Sequence, residues 1–161
     1  MRKEWNAYAP GLTEADVDVA LITDDDSVYY FTGFYDYLHM EFGRQTILAV
    51  SRDGGSLLIT PSMEMDMAEA AAVVAQVEAW NDGMGKEWRE ALPALLNGSG
   101  PVAIEPEQMP AVVRNYVDSL VKKKQLFDVT NIVTEMRMVK SSEELQLARH
   151  AAQVAMAMIT A

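Results

Sequence analysis

The stretch Gln45–Glu64, "QTILAVSRDGGSLLITPSME", decides the fold. Two apolar runs, Gln45–Val50 and Ser56–Thr60, flank Ser51-Arg52-Asp53-Gly54-Gly55. Short apolar runs bounded by turn residues read as buried strands. Asp-Gly-Gly accepts the positive φ of a tight hairpin, so the two strands are expected to be antiparallel. Thr60-Pro61 then reads as a helix start, because Thr caps free amides and Pro suits the first helical position. The Ala- and Met-rich segment Met63–Ala75 favours helix.

Upstream, Val19–Thr23 is a further strand, bounded by Asp18 and by Asp24-Asp25-Asp26. Ser27–Phe34 reads as a short helical turn leading into a loop, with Gly33 as its punctuation. Downstream come a strand at Gln76–Trp80, a helix at Lys86–Leu96, a strand at Pro101–Glu105 and a helix at Pro110–Lys122. A strand at Gln125–Val129 and a helix at Asn131–Met138 follow, and Ser141 with Glu144 forms a capping box that opens a last helix. Strands alternating with helices predict βαβ units and a largely parallel sheet, with the hairpin as its antiparallel edge and helices on both faces. In the last helix Leu145, Ala148, Ala152, Ala155, Met156 and Ile159 make an apolar stripe that is still running at Ala161, as in a helix cut from a longer protein.

A chain of 161 residues has room for one domain with a real core. Thirteen Lys and Arg against 24 Asp and Glu give a net charge of -11, which opposes non-specific binding to nucleic acid or to an anionic membrane. The absence of cysteine excludes a disulfide framework and a Cys-ligated zinc site. The opening "MRKEWNAYAPGLTEADVD" has no apolar core of a secretory signal, and no run approaches the ~18 apolar residues that span a bilayer. A soluble, cytoplasmic protein is expected.

Catalytic constellations are sparse. His39 and His150, the only histidines, lie far apart, whereas a metal site needs convergent ligands. There is no G-x-S-x-G elbow and no phosphate-binding P-loop, and Gly98-Ser99-Gly100 reads as a plain helix-to-strand connection. Asp24-Asp25-Asp26 has the residue type of a two-metal site, but a solvated junction after a strand is the plainer reading. Met63, Met65, Met67, Met136, Met138, Met156 and Met158 are expected to fill core gaps rather than to bind a soft metal. Lys122-Lys123-Lys124 fits a helix C-terminus, and Trp5, Trp80 and Trp88 fit the core or a subunit interface. Phe42-Gly43-Arg44 stands where the chain enters the first hairpin strand. An arginine fork matches a carboxylate, an aromatic ring packs a flat face, and glycine permits close backbone approach. A pocket wall and an exposed surface arginine both remain open from spacing alone.

The order of motifs resembles the N-terminal domain of the creatinase, prolidase and aminopeptidase P family. The segments are "ALITDDDSVYYFTGF" (Ala20–Phe34), "RDGG" (Arg52–Gly55), "LLITPSMEMDMA" (Leu57–Ala68), "VAIEP" (Val102–Pro106) and "MRMVKSSEELQLARHAAQVA" (Met136–Ala155). Ser27 stands where that family's N-V-x-Y-x-x-G-F pattern has asparagine, and Arg137, Lys140, Ser141, Glu143 and Glu144 match its R-x-x-K-S-x-E-E pattern.

The resemblance implies a three-layer ribonuclease H-like α/β domain over residues 1–137. Residues 138–161 would begin the first helix of a C-terminal "pita-bread" catalytic domain. That domain would hold the catalytic residues and a pair of divalent metals (Mn, Co or Zn), with none in this chain; a creatinase-like branch works without metal. Phe42 and Arg44 match the F-G-R motif of the creatinase-like branch, where the arginine helps hold a substrate carboxylate in a neighbouring subunit. The implied partners are a small carboxylate-bearing substrate or an X-Pro peptide and a second copy of the chain, with no nucleic acid and no membrane. A creatinase-like hydrolase is favoured over an Xaa-Pro peptidase. The alternatives are a protein-interaction domain of a relative without catalysis and, on fold analogy alone, a nuclease.

Overall fold

The computed structural model describes residues 16–35, 44–81, 86–96 and 100–160. The chain divides into two compact units, one ending at Thr130 and the other beginning at Asn131. The first unit is built on β1 (Val19–Ile22), α1 (Asp25–Thr32), β2 (Ile47–Ser51), β3 (Ser56–Pro61), α2 (Met65–Ala71), β4 (Gln76–Trp80), α3 (Lys86–Leu96), β5 (Val102–Ile104), α4 (Ala111–Leu120) and β6 (Leu126–Asp128). The strands form one sheet in the order β4-β3-β2-β1-β5-β6. β1 and β3 both run antiparallel to β2, while β3–β4, β1–β5 and β5–β6 are parallel pairs. β2 therefore runs against all the other strands.

Strand alternation sends successive residues to opposite faces, and both faces are buried. On one side Val19, Leu21, Ile47, Ala49, Ile59, Val102 and Ile104 pack with Trp88, Leu92 and Leu96 of α3 and with Val113 and Val117 of α4. On the other lie Ala20, Ile22, Leu48, Val50, Leu58 and Ala103, and the shielding helices α1 and α2 contribute buried Val28 and Ala68. The mixed three-layer α/β architecture expected from the sequence is thus the observed one.

The hairpin itself forms as its sequence requires. Gly54 adopts φ 90°, Ser51 N–H donates to Gly55 O at 2.8 Å, and Val50 pairs with Ser56. Its place in the sheet differs from expectation: β2 and β3 lie inside, and the edges are β4 and β6. The crossover through α2 lays β4 along the open side of β3, and β1 takes the open side of β2, so neither hairpin strand keeps a free row of amides. Edge strand β4 carries Gln76 and Glu78, joined by a 2.8 Å side-chain hydrogen bond. Polar groups of this kind discourage edge-to-edge pairing.

Thr60 does not cap a helix. It is a fully buried strand residue whose hydroxyl meets that of Thr46 at 3.2 Å. A single 3-10 turn, Ser62–Glu64, intervenes before α2. The helix ends at Ala71 rather than Ala75, because Val73 N–H turns to Thr32 O and Ala75 N–H to the Ser56 hydroxyl. Lys123 and Lys124 fall in the 3-10 turn at Lys123–Gln125 and Lys122 just before it, all beyond the end of α4 at Leu120, so the run does not decorate that helix's last turn.

The second unit holds most of α5 (Thr130–Met138) and all of α6 (Ser142–Thr160). The capping box is present: Ser141 N–H donates to Glu144 Oε2 at 2.8 Å, and Glu144 N–H donates to Ser141 Oγ at 3.2 Å.

Candidate functional site

In open α/β sheets, ligands gather outside the carboxyl ends of the strands. Because β2 is reversed, the residues that precede it arrive at that edge beside the residues that follow β1 and β3. Arg44 is brought there by the register, in which Ile47 faces Ile59 and Leu48 faces Ile22. Its two successors are pinned. Trp80 Nε1–H, from the end of β4, donates to Gln45 O at 3.0 Å, and Thr46 is held by Thr60. Arg44 Nη1 donates to Met63 Sδ at 3.7 Å, on the 3-10 turn after β3. A guanidinium thus stands on a well-anchored backbone at the sheet's carboxyl edge. Phe42 and Gly43 lie outside the described residues.

A second polar group of the same edge is sealed in. Asp24 caps α1, accepting from Ser27 N–H at 3.0 Å. The Ser27 hydroxyl lies 3.0 Å from Asp24 Oδ2 and 3.1 Å from Glu105 Oε1 at the end of β5. One hydroxyl hydrogen serves two carboxyl groups here, and Ser27 and Glu105 are both buried. This cluster ties α1 to the β1–β5 pair. Gly33 closes α1 in the left-handed region at φ 78°, its N–H donating to Tyr29 O at 2.8 Å.

The sequence-stated residues therefore separate. The aspartate run is a helix cap plus a first turn, and no group of three or more His, Asp or Glu able to hold a metal occurs among the described residues. His150 is exposed on α6, and His39 lies outside the described residues. Trp80 and Trp88 are core, as one of their two readings has it, and Trp5 is outside the described residues. The methionine expectation is corrected: Met63, Met67, Met138, Met156 and Met158 are exposed, whereas Met109 fills the core. Met63 sits on a turn rather than in a helix, so helical spacing does not apply to it. Sequence reasoning passed over Glu105. Its signal was a carboxylate placed directly after a wholly apolar strand and before Pro106.

Residues 9–139 match the Creatinase/Prolidase N-terminal domain family. An uncharacterised peptidase of Staphylococcus aureus is 26% identical over 144 residues, which covers 89% of this chain and 39% of that protein. A crystal structure of a proline dipeptidase from Streptococcus pneumoniae superposes with a TM-score of 0.71 at 25% identity, covering 87% of this chain and 100% of that one. A dipeptidase from Pyrococcus horikoshii gives a TM-score of 0.74 at 27% identity, covering 94% of this chain and 41% of that one. The chain belongs to the creatinase/prolidase N-terminal domain family. It spans about two-fifths of the length of the Staphylococcus relatives. No helix among the described residues is long and apolar enough to cross a membrane.

Proposed function

We propose that this domain positions substrate for hydrolysis of a C–N bond by a C-terminal domain, with Arg44 as the group that holds the substrate's carboxylate and Phe42 as its apolar companion. The single observation that carries this reading is Arg44 at the carboxyl edge, its backbone fixed by the Trp80–Gln45 and Thr46–Thr60 hydrogen bonds. A guanidinium fork offers two parallel donors to a carboxylate, and a fixed backbone limits the entropy lost on binding. The proline dipeptidase among the similar structures supports an X-Pro dipeptide over a creatinase-like substrate. The bond chemistry, and any pair of divalent metals, belongs to the C-terminal domain in this reading. The N-terminal domain extends to residue 137, close to the end of the family match at 139, and residues 138–161 lead into that next domain. The assembly is a cytoplasmic homodimer in which Arg44 serves the partner's active site.

Arg44→Ala in the full-length protein is expected to raise KM for an X-Pro dipeptide by about tenfold to a hundredfold, as for loss of a charge-assisted hydrogen bond. Unchanged kinetics with every carboxylate-bearing substrate would overturn the role.

A further inference from the structure

Met63 is a methionine in an unusual position. It is 71% exposed, yet its sulfur accepts from the Arg44 guanidinium at 3.7 Å. A thioether is a weak acceptor, so this one contact is weak. A sulfoxide oxygen is a far stronger acceptor, carried on the same side chain and beside the same guanidinium.

We propose that Met63 is an oxidative modification site through which peroxide controls Arg44. In the step, the Met63 sulfur attacks one oxygen of hydrogen peroxide. An S–O bond forms and the O–O bond breaks. Sulfur is oxidised by two electrons, and the second peroxide oxygen leaves as water. The sulfoxide oxygen then accepts from the Arg44 guanidinium and draws it toward the 3-10 turn at Ser62–Glu64. Methionine sulfoxide reductase would reverse the change. Exposure gives the oxidant access, and the turn places the sulfur where its oxidation state is felt by one named side chain. Met67, Met138, Met156 and Met158 are exposed too, and they serve as internal controls for oxidation elsewhere. This inference concerns the regulation of the arginine assigned above, and it rests on that reading for its functional meaning.

The test uses the chain described here and no substrate, so its failure is distinct from a failure of the carboxylate role. The protein is treated with hydrogen peroxide, and peptide mass spectrometry follows the gain of one oxygen at Met63. The rate at which phenylglyoxal modifies Arg44 is measured before and after. Oxidation is expected to slow that modification about fivefold, the factor that one net hydrogen bond supplies. Reductase treatment should restore the original rate. Met63→Leu should keep the original rate after peroxide while the control methionines still oxidise. A rate at Arg44 that is unchanged once Met63 is fully oxidised would overturn the proposal. So would equal slowing in Met63→Leu, or a Met63 that stays unoxidised while its exposed counterparts react.

Discussion

Two arginines flank β2, and they are held differently. Arg52, at the hairpin end, donates through Nε to Val17 O at 3.0 Å and through Nη2 to Asp16 at 2.8 Å, with Asp18 at 3.1 Å. Its backbone N–H also donates to Asp18 O. Arg44, at the other end, sets its guanidinium against the thioether of Met63. Carboxylates and a carbonyl meet one guanidinium, while the other reaches a thioether. The same residue type at the two ends of one strand thus meets oxygen acceptors at one edge of the sheet and, under the proposed function, would meet a substrate carboxylate at the other.

The comparison breaks first if the ground beneath Arg44 is soft. Trp80→Phe leaves the buried Gln45 carbonyl without its indole donor, and about 1–3 kcal/mol of stability should be lost. Urea unfolding reads this loss; an unchanged midpoint would mean that the Trp80–Gln45 bond does not anchor the segment. Next comes Arg52→Ala. The pairs are partly exposed, with side-chain accessibilities of 44% for Arg52, 86% for Asp16 and 38% for Asp18, so screening limits their worth. A loss of about 1 kcal/mol is expected, mainly from the bonds to Val17 and Asp18. Arg44→Ala, at a half-buried side chain, should change stability by about 0.5 kcal/mol, less than Arg52→Ala. A loss at Arg44 that equals the loss at Arg52 would erase the distinction.

The smallest effect concerns pH at the hairpin end. Asp53 accepts from the Ser51 hydroxyl and from Gly55 N–H, and both bonds hold its carboxyl below the usual value of 3.8. A depressed carboxyl stabilises the fold above its unfolded pKa and loses that contribution as pH falls through the lower folded value. Asp53→Asn should therefore flatten part of the stability decline below about pH 4. A variant with the same acid limb as the parent would show that the turn's hydrogen bonds carry no pH-dependent stability.

The hairpin was legible because its determinants are local: Asp53-Gly54-Gly55 between apolar runs needs no distant partner. Its position inside the sheet was not legible, because that depends on where the chain returns after α1 and α2. Helix α3 and strand β4 begin and end as their patterns predict, at Lys86–Leu96 and Gln76–Trp80. Thr60-Pro61 misled because a capping residue and a buried strand threonine look alike until Thr46 is placed opposite. Arg44 could be singled out by residue type, but its anchoring by Trp80, 36 positions away, is tertiary. The Ser27–Glu105 link, across a separation of 78, was hidden for the same reason.

The most direct measurement is a comparison of an X-Pro dipeptide with its C-terminal amide, using full-length protein and its Arg44→Ala and Arg52→Ala variants. kcat/KM for the two substrates gives the preference for a carboxylate. If Arg44 holds that carboxylate, the preference should collapse in Arg44→Ala, by about tenfold or more, and persist in Arg52→Ala. An Arg44→Ala enzyme that keeps the parent's preference would contradict the account.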